Sequence, residues 1–304
     1  MRFLLVLLVF VAVARADDPY IVVLGIAQDA GYPQAACKKE CCQAVWLDPS
    51  RRRFVSSLAI VDPESKQRWL IDCTPSFPDQ LQLLDQMAEP AGNPGITGVF
   101  LTHAHIGHYA GLIHLGREVI GSKSVPVHVM PRMKTFLQGN GPWSQLIRLN
   151  NIDLRPMDAD RAIRLNQRIS ITPFIVPHRD EFSETVGFKI DGPRKSVLFI
   201  PDIDKWERWS RKIEDELKQV DVAYLDGTFY ADGELPNRAM SQIPHPFIAE
   251  SMGRFDRLPG GERKKVRFIH LNHTNPALRP DSLANKAIEK AGMQVAKQGE
   301  RFNL

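Results

Sequence analysis

Five apolar runs in this chain stop on a histidine or an aspartate. "GVFLT" (98–102) leads into His103, "FIVP" (174–177) into His178, "VLFIP" (197–201) into Asp202, "VAYL" (222–225) into Asp226 and "RFI" (267–269) into His270. Short apolar runs bounded by turn residues read as buried strands. A fold whose strands end at a shared sheet edge collects all of these polar groups there. The densest group is "THAHIGH" (102–108). In extended chain, residues i and i+2 point the same way, so His103 and His105 can face one point, and His108, opening the next helix, can swing in from the side. Neutral imidazole is the commonest metal-ligating side chain, and packing gives no reason for three of them within six residues. His178 taken alone would be an ordinary hydrogen-bonded loop residue. His114 and His128 fall inside elements and read as ordinary.

The remaining pattern mixes strands and helices. Strands are expected at 21–27, 56–62, 68–73, 96–102, 125–130, 168–176, 185–191, 196–200, 221–229 and 265–271, the second and third forming a hairpin about "PESKQ". Helices are expected at 79–89, 109–120, 133–138, 204–219, 246–255 and 281–292; in the fourth, Trp206, Trp209, Ile213 and Leu217 make one apolar stripe. This is not strict β-α alternation. It fits two mixed β-sheets with outer helices in an α+β fold.

The chain opens on Arg2, an unbroken apolar stretch from Leu4 to Ala14, and the small-x-small pattern Ala14-Arg15-Ala16. That stretch is short of the about 20 residues a spanning helix needs. Residues 1–16 are therefore expected to be a cleaved signal peptide, leaving 17–304 as a single exported domain, periplasmic or secreted, without stable membrane insertion. The net charge is only +4 and falls further without Arg2 and Arg15, so nucleic acid is not an expected partner; a small-molecule substrate is. The basic runs at 50–54 and 262–267 read as solvated faces. Of four cysteines, three crowd into "CKKECC" as Cys37, Cys41 and Cys42, and Cys73 follows Asp72 at a strand end. Export favours disulfides, but a bond between adjacent Cys41 and Cys42 is geometrically poor. Cys73 reads as a small buried residue.

"THAHIGH", followed in order by His178, Asp202 and His270, resembles the metallo-β-lactamase fold superfamily, whose signature is His-x-His-x-Asp-His, then a later His, an Asp and a last His. "LGIAQDAGYPQAAC", "WLIDCTPSF" and "FIHLNHTNP" look like the branch that contains the B protein of pyrroloquinoline quinone synthesis and the phosphonate-pathway cyclic phosphodiesterases. The resemblance covers nearly the whole chain after residue 16. It implies a four-layer αββα sandwich and a metal-dependent hydrolase that uses a metal-bound hydroxide on a phosphodiester, lactone or other ester. Carried over by position, one metal takes His103, His105 and His178; a second takes His108 and His270; Asp202 bridges. Asp204, where a helix cap is expected, ranks below Asp202. Zinc, manganese or iron suits such donors, with one or two ions bound.

Gly107 departs from the pattern, which has an aspartate there. The second site is then weak or empty, or another carboxylate serves it (Asp29, Asp180 and Glu184 qualify by loop location), or the chemistry has changed; a second site of lower affinity is the favoured expectation. The resemblance implies a general acid at His245, set between two prolines, and supporting or structural places for Asp72 and Asp226. Some members of the branch hold a structural zinc, which here would take Cys37, Cys41, Cys42 and His273. Two other functions remain open: an iron-dependent oxygenase or pyrroloquinoline quinone biosynthesis protein, and a non-catalytic binding protein with a degenerate site.

Overall fold

The computed structural model describes residues 17–236 and 238–304; the leader expected over 1–16 lies outside them. Two seven-stranded sheets organise the chain. The first contains β1 (Tyr20–Gly25), β2 (Ser57–Asp62), β3 (Gln67–Ile71), β4 (Gly98–Phe100), β5 (Val125–Val129), β6 (Ile152–Pro156) and, beside β1, β14 (Arg301–Asn303). The second contains β7 (Ile163–Arg164), β8 (Ser170–Ile175), β9 (Val186–Asp191), β10 (Ser196–Ile200), β11 (Val222–Asp226), β12 (Val266–Ile269) and β13 (Gln294–Val295), in spatial order from β13 to β7. Each sheet changes character partway. β1, β2 and β3 pair antiparallel while β3 to β6 run parallel; β8, β9 and β10 pair antiparallel while β10 to β13 run parallel.

Strand periodicity explains the layers. In β1, Ile21 and Val23 enter the core between the sheets, whereas Tyr20, Val22 and Leu24 pack outward with Phe77, Leu84, Leu112 and Met133 of the helical layer. All six residues are buried, as expected of a strand covered on both faces. Full burial of such aliphatic or aromatic side chains contributes about 1.5–3 kcal/mol each. Phe100 of β4 meets Phe188 of β9 edge-on at 6.0 Å, joining one sheet to the other. The result is the αββα sandwich that the sequence implies. On the outer face, Arg68 is fully buried. Its Nη1 donates to Asp85 Oδ1 at 2.7 Å and to the Ala88 carbonyl at 2.8 Å, and its Nε donates to the Gly95 carbonyl at 2.6 Å. It thereby fastens the end of helix Phe77–Met87 to β3.

Most expected elements are present within a residue or two. The expected helix at 204–219 is not: only a 3-10 turn, Trp206–Arg208, and a short helix, Ile213–Leu217, form there. The tryptophan stripe is real, but each indole N–H has a tertiary partner, Ser251 Oγ for Trp206 and the Ile175 carbonyl for Trp209, both at 2.9 Å. Trp209 turns extended to reach its partner, so tertiary contacts override helix propensity. The 109–120 helix is likewise replaced by helix Ile106–Tyr109 and a 3-10 segment, Ala110–Leu115.

Candidate metal centre

The carboxyl ends of β3, β4, β8, β10, β11 and β12 meet at one edge of the sandwich, and the loop after β1 joins them. His103 and His105 follow β4, and His108 lies in the helix behind them. His178 follows β8, Asp202 follows β10, and His270 follows β12. Asp202 Oδ2 is the point they share. It lies 3.3 Å from Nε2 of both His103 and His178 and 3.9 Å from His105 Nδ1. The same oxygen is 4.0 Å from Nε2 of both His108 and His270. His105 Nδ1 is 2.9 Å from His103 Nε2 and 3.3 Å from His178 Nε2. These separations match the edges of a tetrahedral cage, about 3.3 Å for metal–nitrogen bonds of about 2.0–2.1 Å.

The far nitrogen of every ring is held from behind. His103 Nδ1 meets Thr102 Oγ1 at 3.0 Å, and His108 Nδ1 meets Asp72 Oδ2 at 2.7 Å. His178 Nδ1 meets Asp204 Oδ1 at 3.3 Å, His270 Nδ1 meets Thr228 Oγ1 at 2.9 Å, and His105 Nε2 meets Glu181 Oε2 at 3.0 Å. Thr102 Oγ1 donates to the Asp72 carboxylate and Thr228 Oγ1 to Asp226, so each hydroxyl is free to accept from its histidine. Metal-ligating histidines carry this kind of outward partner, which turns the other ring nitrogen inward, where a cation could take the place of its proton. His108 Nε2, His270 Nε2 and Asp29 Oδ1 are buried with no hydrogen-bond partner, as expected of atoms shaped for a cation. Asp204 thus stands behind His178 rather than replacing Asp202.

Asp29 lies within the cluster. Its Oδ1 is 3.3 Å from His108 Nε2 and 3.6 Å from His270 Nε2. Asp180 instead accepts from Thr185 Oγ1, and Glu184 accepts from the backbone N–H of Arg132, so neither reaches the rings. The field of the site is divided. Burial alone would raise the Asp202 carboxyl, but the facing His178, His245 and His270 rings hold it well below the usual carboxylate range. Burial would also raise Asp29, and His108 and His270 hold it well below that range. Burial and the neighbouring His108 push His103 well below the usual imidazole range. For His178 burial acts downward, yet Asp202 and Asp204 push it up to about 9. Two ionised carboxylates among crowded imidazoles make a pocket that calls for positive charge.

His245 is buried at the margin of this pocket, its ring centroid 5.5 Å from that of His178. Nδ1 donates to Asp226 Oδ2 at 2.9 Å, and among the described residues Nε2 has no hydrogen-bond partner. Burial would lower its pKa; Asp226 and Asp202 push it up to about 10. Elsewhere, ligand atoms of Cys37, Cys41, Cys42 and His273 all lie within 4.8 Å of one another. The thiols of all four cysteines are free, and Cys73 is buried away from the other three.

This fold and this gathering of ligand-type residues define the class. The chain belongs to the beta-lactamase superfamily, whose domain model matches residues 67–300. Among curated proteins it is similar to Coenzyme PQQ synthesis protein B of Xanthomonas campestris pv. campestris (strain B100), with 28% identity over 93% of this chain and 99% of that one. Among solved structures it is similar to Zn(2+)-bound PqqB from Methylobacterium extorquens, with a TM-score of 0.79, 24% identity and coverage of 94% of this chain and 100% of the other. A diphosphatase from the PhnP family aligns with a TM-score of 0.63 and 20% identity over 94% and 97% of the two chains.

Proposed function

We propose that the chain is a metal-dependent hydrolase of phosphoester bonds. His103, His105 and His178 would hold one cation, His108 and His270 a second, with Asp202 shared. The observation that carries the reading is the placement of Asp202 Oδ2 at the meeting of both histidine sets, 3.3 Å from His103 and His178 and 4.0 Å from His108 and His270. When bound, such a pair of cations supplies Lewis acidity and brings the pKa of water to about 7. The chain's own residues orient and protonate. Asp72, Asp204, Thr102 and Thr228 fix the rings. Asp226 fixes Nδ1 of His245, leaving Nε2 to hand its proton to a departing oxygen. The PhnP-family neighbour, described as a diphosphatase, supports phosphorus as the reacting centre. Export of the enzyme, from the leader expected at 1–16, is part of the proposal.

The test is elemental analysis of purified protein combined with turnover of bis-p-nitrophenyl phosphate, a lactone and a carboxylic ester. We expect about three divalent cations per chain, counting a structural one, and phosphodiester turnover that a chelator abolishes and zinc or manganese restores. Absence of divalent metal, or no turnover of the phosphodiester, sinks the reading.

A structural zinc at Cys37, Cys41, Cys42 and His273 belongs to the same proposal. Cys41 and Cys42 open helix Glu40–Leu47, and the hydroxyl of Tyr32 donates to the Cys41 carbonyl at 2.7 Å. Burial, followed by the neighbouring Cys37 and Cys41, pushes the Cys42 thiol up to about 12; a cation is what makes such a thiolate affordable. Thiol titration of the metal-stripped, denatured protein is expected to count four thiols. Two or none would mean disulfides instead.

A second reading is favoured by the end-to-end match to coenzyme PQQ synthesis proteins: a step in cofactor synthesis, with iron at the centre acting on oxygen. Iron in the native protein together with oxygen uptake on a quinone-precursor substrate would select it. Gly107 motivated a third reading, a degenerate binding site; the carboxylate of Asp29 beside His108 and His270 weakens that motive.

A further inference from the structure

We propose that Asp29 is the carboxylate ligand of the second cation and that Gly107 is the vacancy that admits it. The ligand has moved from the helix behind the histidines to the loop after β1. This rests on the reading that the cluster binds metal. Three observations carry it.

The first is position. Asp29 Oδ1 lies 3.3 Å from His108 Nε2 and 3.6 Å from His270 Nε2, and all three atoms are buried without a hydrogen-bond partner. They form a set of ligand-type atoms separate from that of His103, His105, His178 and Asp202.

The second is exclusion. A Cβ built on Gly107 would stand 2.2 Å from Asp29 Oδ1, 2.5 Å from its Cα and 2.8 Å from its Cβ. Two of these three atoms would remain even if residue 29 were alanine, so the obstruction comes from the loop itself. A side chain at 107 and the Asp29 loop cannot occupy their present places together. The two positions are therefore alternatives: an aspartate at 107 reaching from the helix, or an aspartate at 29 reaching from the loop.

The third is that the loop is built to hold Asp29 still. Ala27 N–H donates to the Phe54 carbonyl at 2.9 Å and Ser56 N–H to the Ala27 carbonyl at 2.7 Å. Gln28 N–H donates to the Leu271 carbonyl and Leu271 N–H to the Ile26 carbonyl, both at 2.8 Å. The last two bonds tie the loop to the residue that follows His270. His270 itself has φ of 64°, a left-handed backbone uncommon outside glycine and typical of functional positions. This kink turns the chain from β12 onto the Asp29 loop, so one local constraint places both ligands.

The test is zinc stoichiometry and affinity, measured by equilibration in zinc buffers and by the absorption of the cobalt-substituted protein, without reference to activity. Asp29→Ala should take up one zinc fewer than wild type while keeping the equivalent at His103, His105 and His178. The affinity for the lost equivalent should fall by more than the about 10–100-fold typical of outer partners. Gly107→Ala, which removes no ligand, should lose the same equivalent. The double variant should lose no more than either single one, as required of two changes acting through one contact. Asp29→Ala retaining every equivalent within twofold of wild-type affinity overturns the proposal, and so does its loss of all of them. Gly107→Ala binding like wild type overturns the part assigned to Gly107. A wild type that binds both equivalents but cleaves no phosphoester leaves this inference standing and ends the hydrolase reading alone.

Discussion

Asp202→Ala is expected to lower phosphodiester turnover by about 10³–10⁶-fold, between the loss of one transition-state donor and the loss of a whole catalytic unit. The size follows from geometry. Asp202 Oδ2 reaches both histidine sets, at 3.3 Å from His103 and His178 and 4.0 Å from His108 and His270. Its removal leaves His103, His105 and His178 without a facing carboxylate, and only Asp29, on the His108 and His270 side, to offset a proton or cation. Asp202→Asn keeps the shape and loses the charge, and should fall nearly as far. Steady-state kinetics and metal content are to be read together: turnover and bound metal should drop in the same variant. Turnover within tenfold of wild type would remove Asp202 from the centre of the chemistry.

His245→Ala is expected to act selectively. General acid catalysis contributes about 10²–10⁴-fold where the leaving group needs a proton. An alkyl phosphodiester, whose departing alkoxide is strongly basic, should lose that factor. A p-nitrophenyl ester, whose leaving group is stable as an anion, should lose little. Metal content should not change, because the His245 Nδ1 that faces Asp202 Oδ1 at 3.1 Å is turned to Asp226 Oδ2 at 2.9 Å. Burial would drive the proton off, but Asp226 and Asp202 push the imidazole up to about 10, which favours the protonated form an acid needs. An equal loss for both leaving groups would make His245 a positioning residue.

The clustered histidines and aspartate were legible in the sequence because strands announce their ends. An apolar run that stops on His103, Asp202 or His270 states both that a strand is buried and which residue emerges from it. The motif then matched a family signature, and the structure brings those residues together. The supports were less legible. Asp72 and Asp226 were read as supporting residues, and they hold His108 and His245 at 2.7 Å and 2.9 Å. Asp204 read as a helix cap because Trp206 and Trp209 imply a helix that their indole hydrogen bonds prevent. Asp29 could be named only by its loop, since its role depends on space at Gly107. That space is a property of packing between residues 78 positions apart, for which local spacing holds no signal; a strand followed by "QDAG" beside a histidine motif lacking its aspartate was the available clue.

The edge-on contact of Phe100 with Phe188 has a consequence well away from the aromatic rings. His103, His105 and His108 extend from one sheet, and His178, Asp202 and His270 from the other, so the centre straddles a seam. Interiors transmit rather than absorb displacement, and misplacement by about 1 Å can cost about 10²-fold in rate. Trimming either phenylalanine would let the two halves slide, and the damage would register at the seam's far end before the molecule lost its shape. Precision at this site is thus a property of the whole sandwich, vulnerable to substitutions that never come near a histidine.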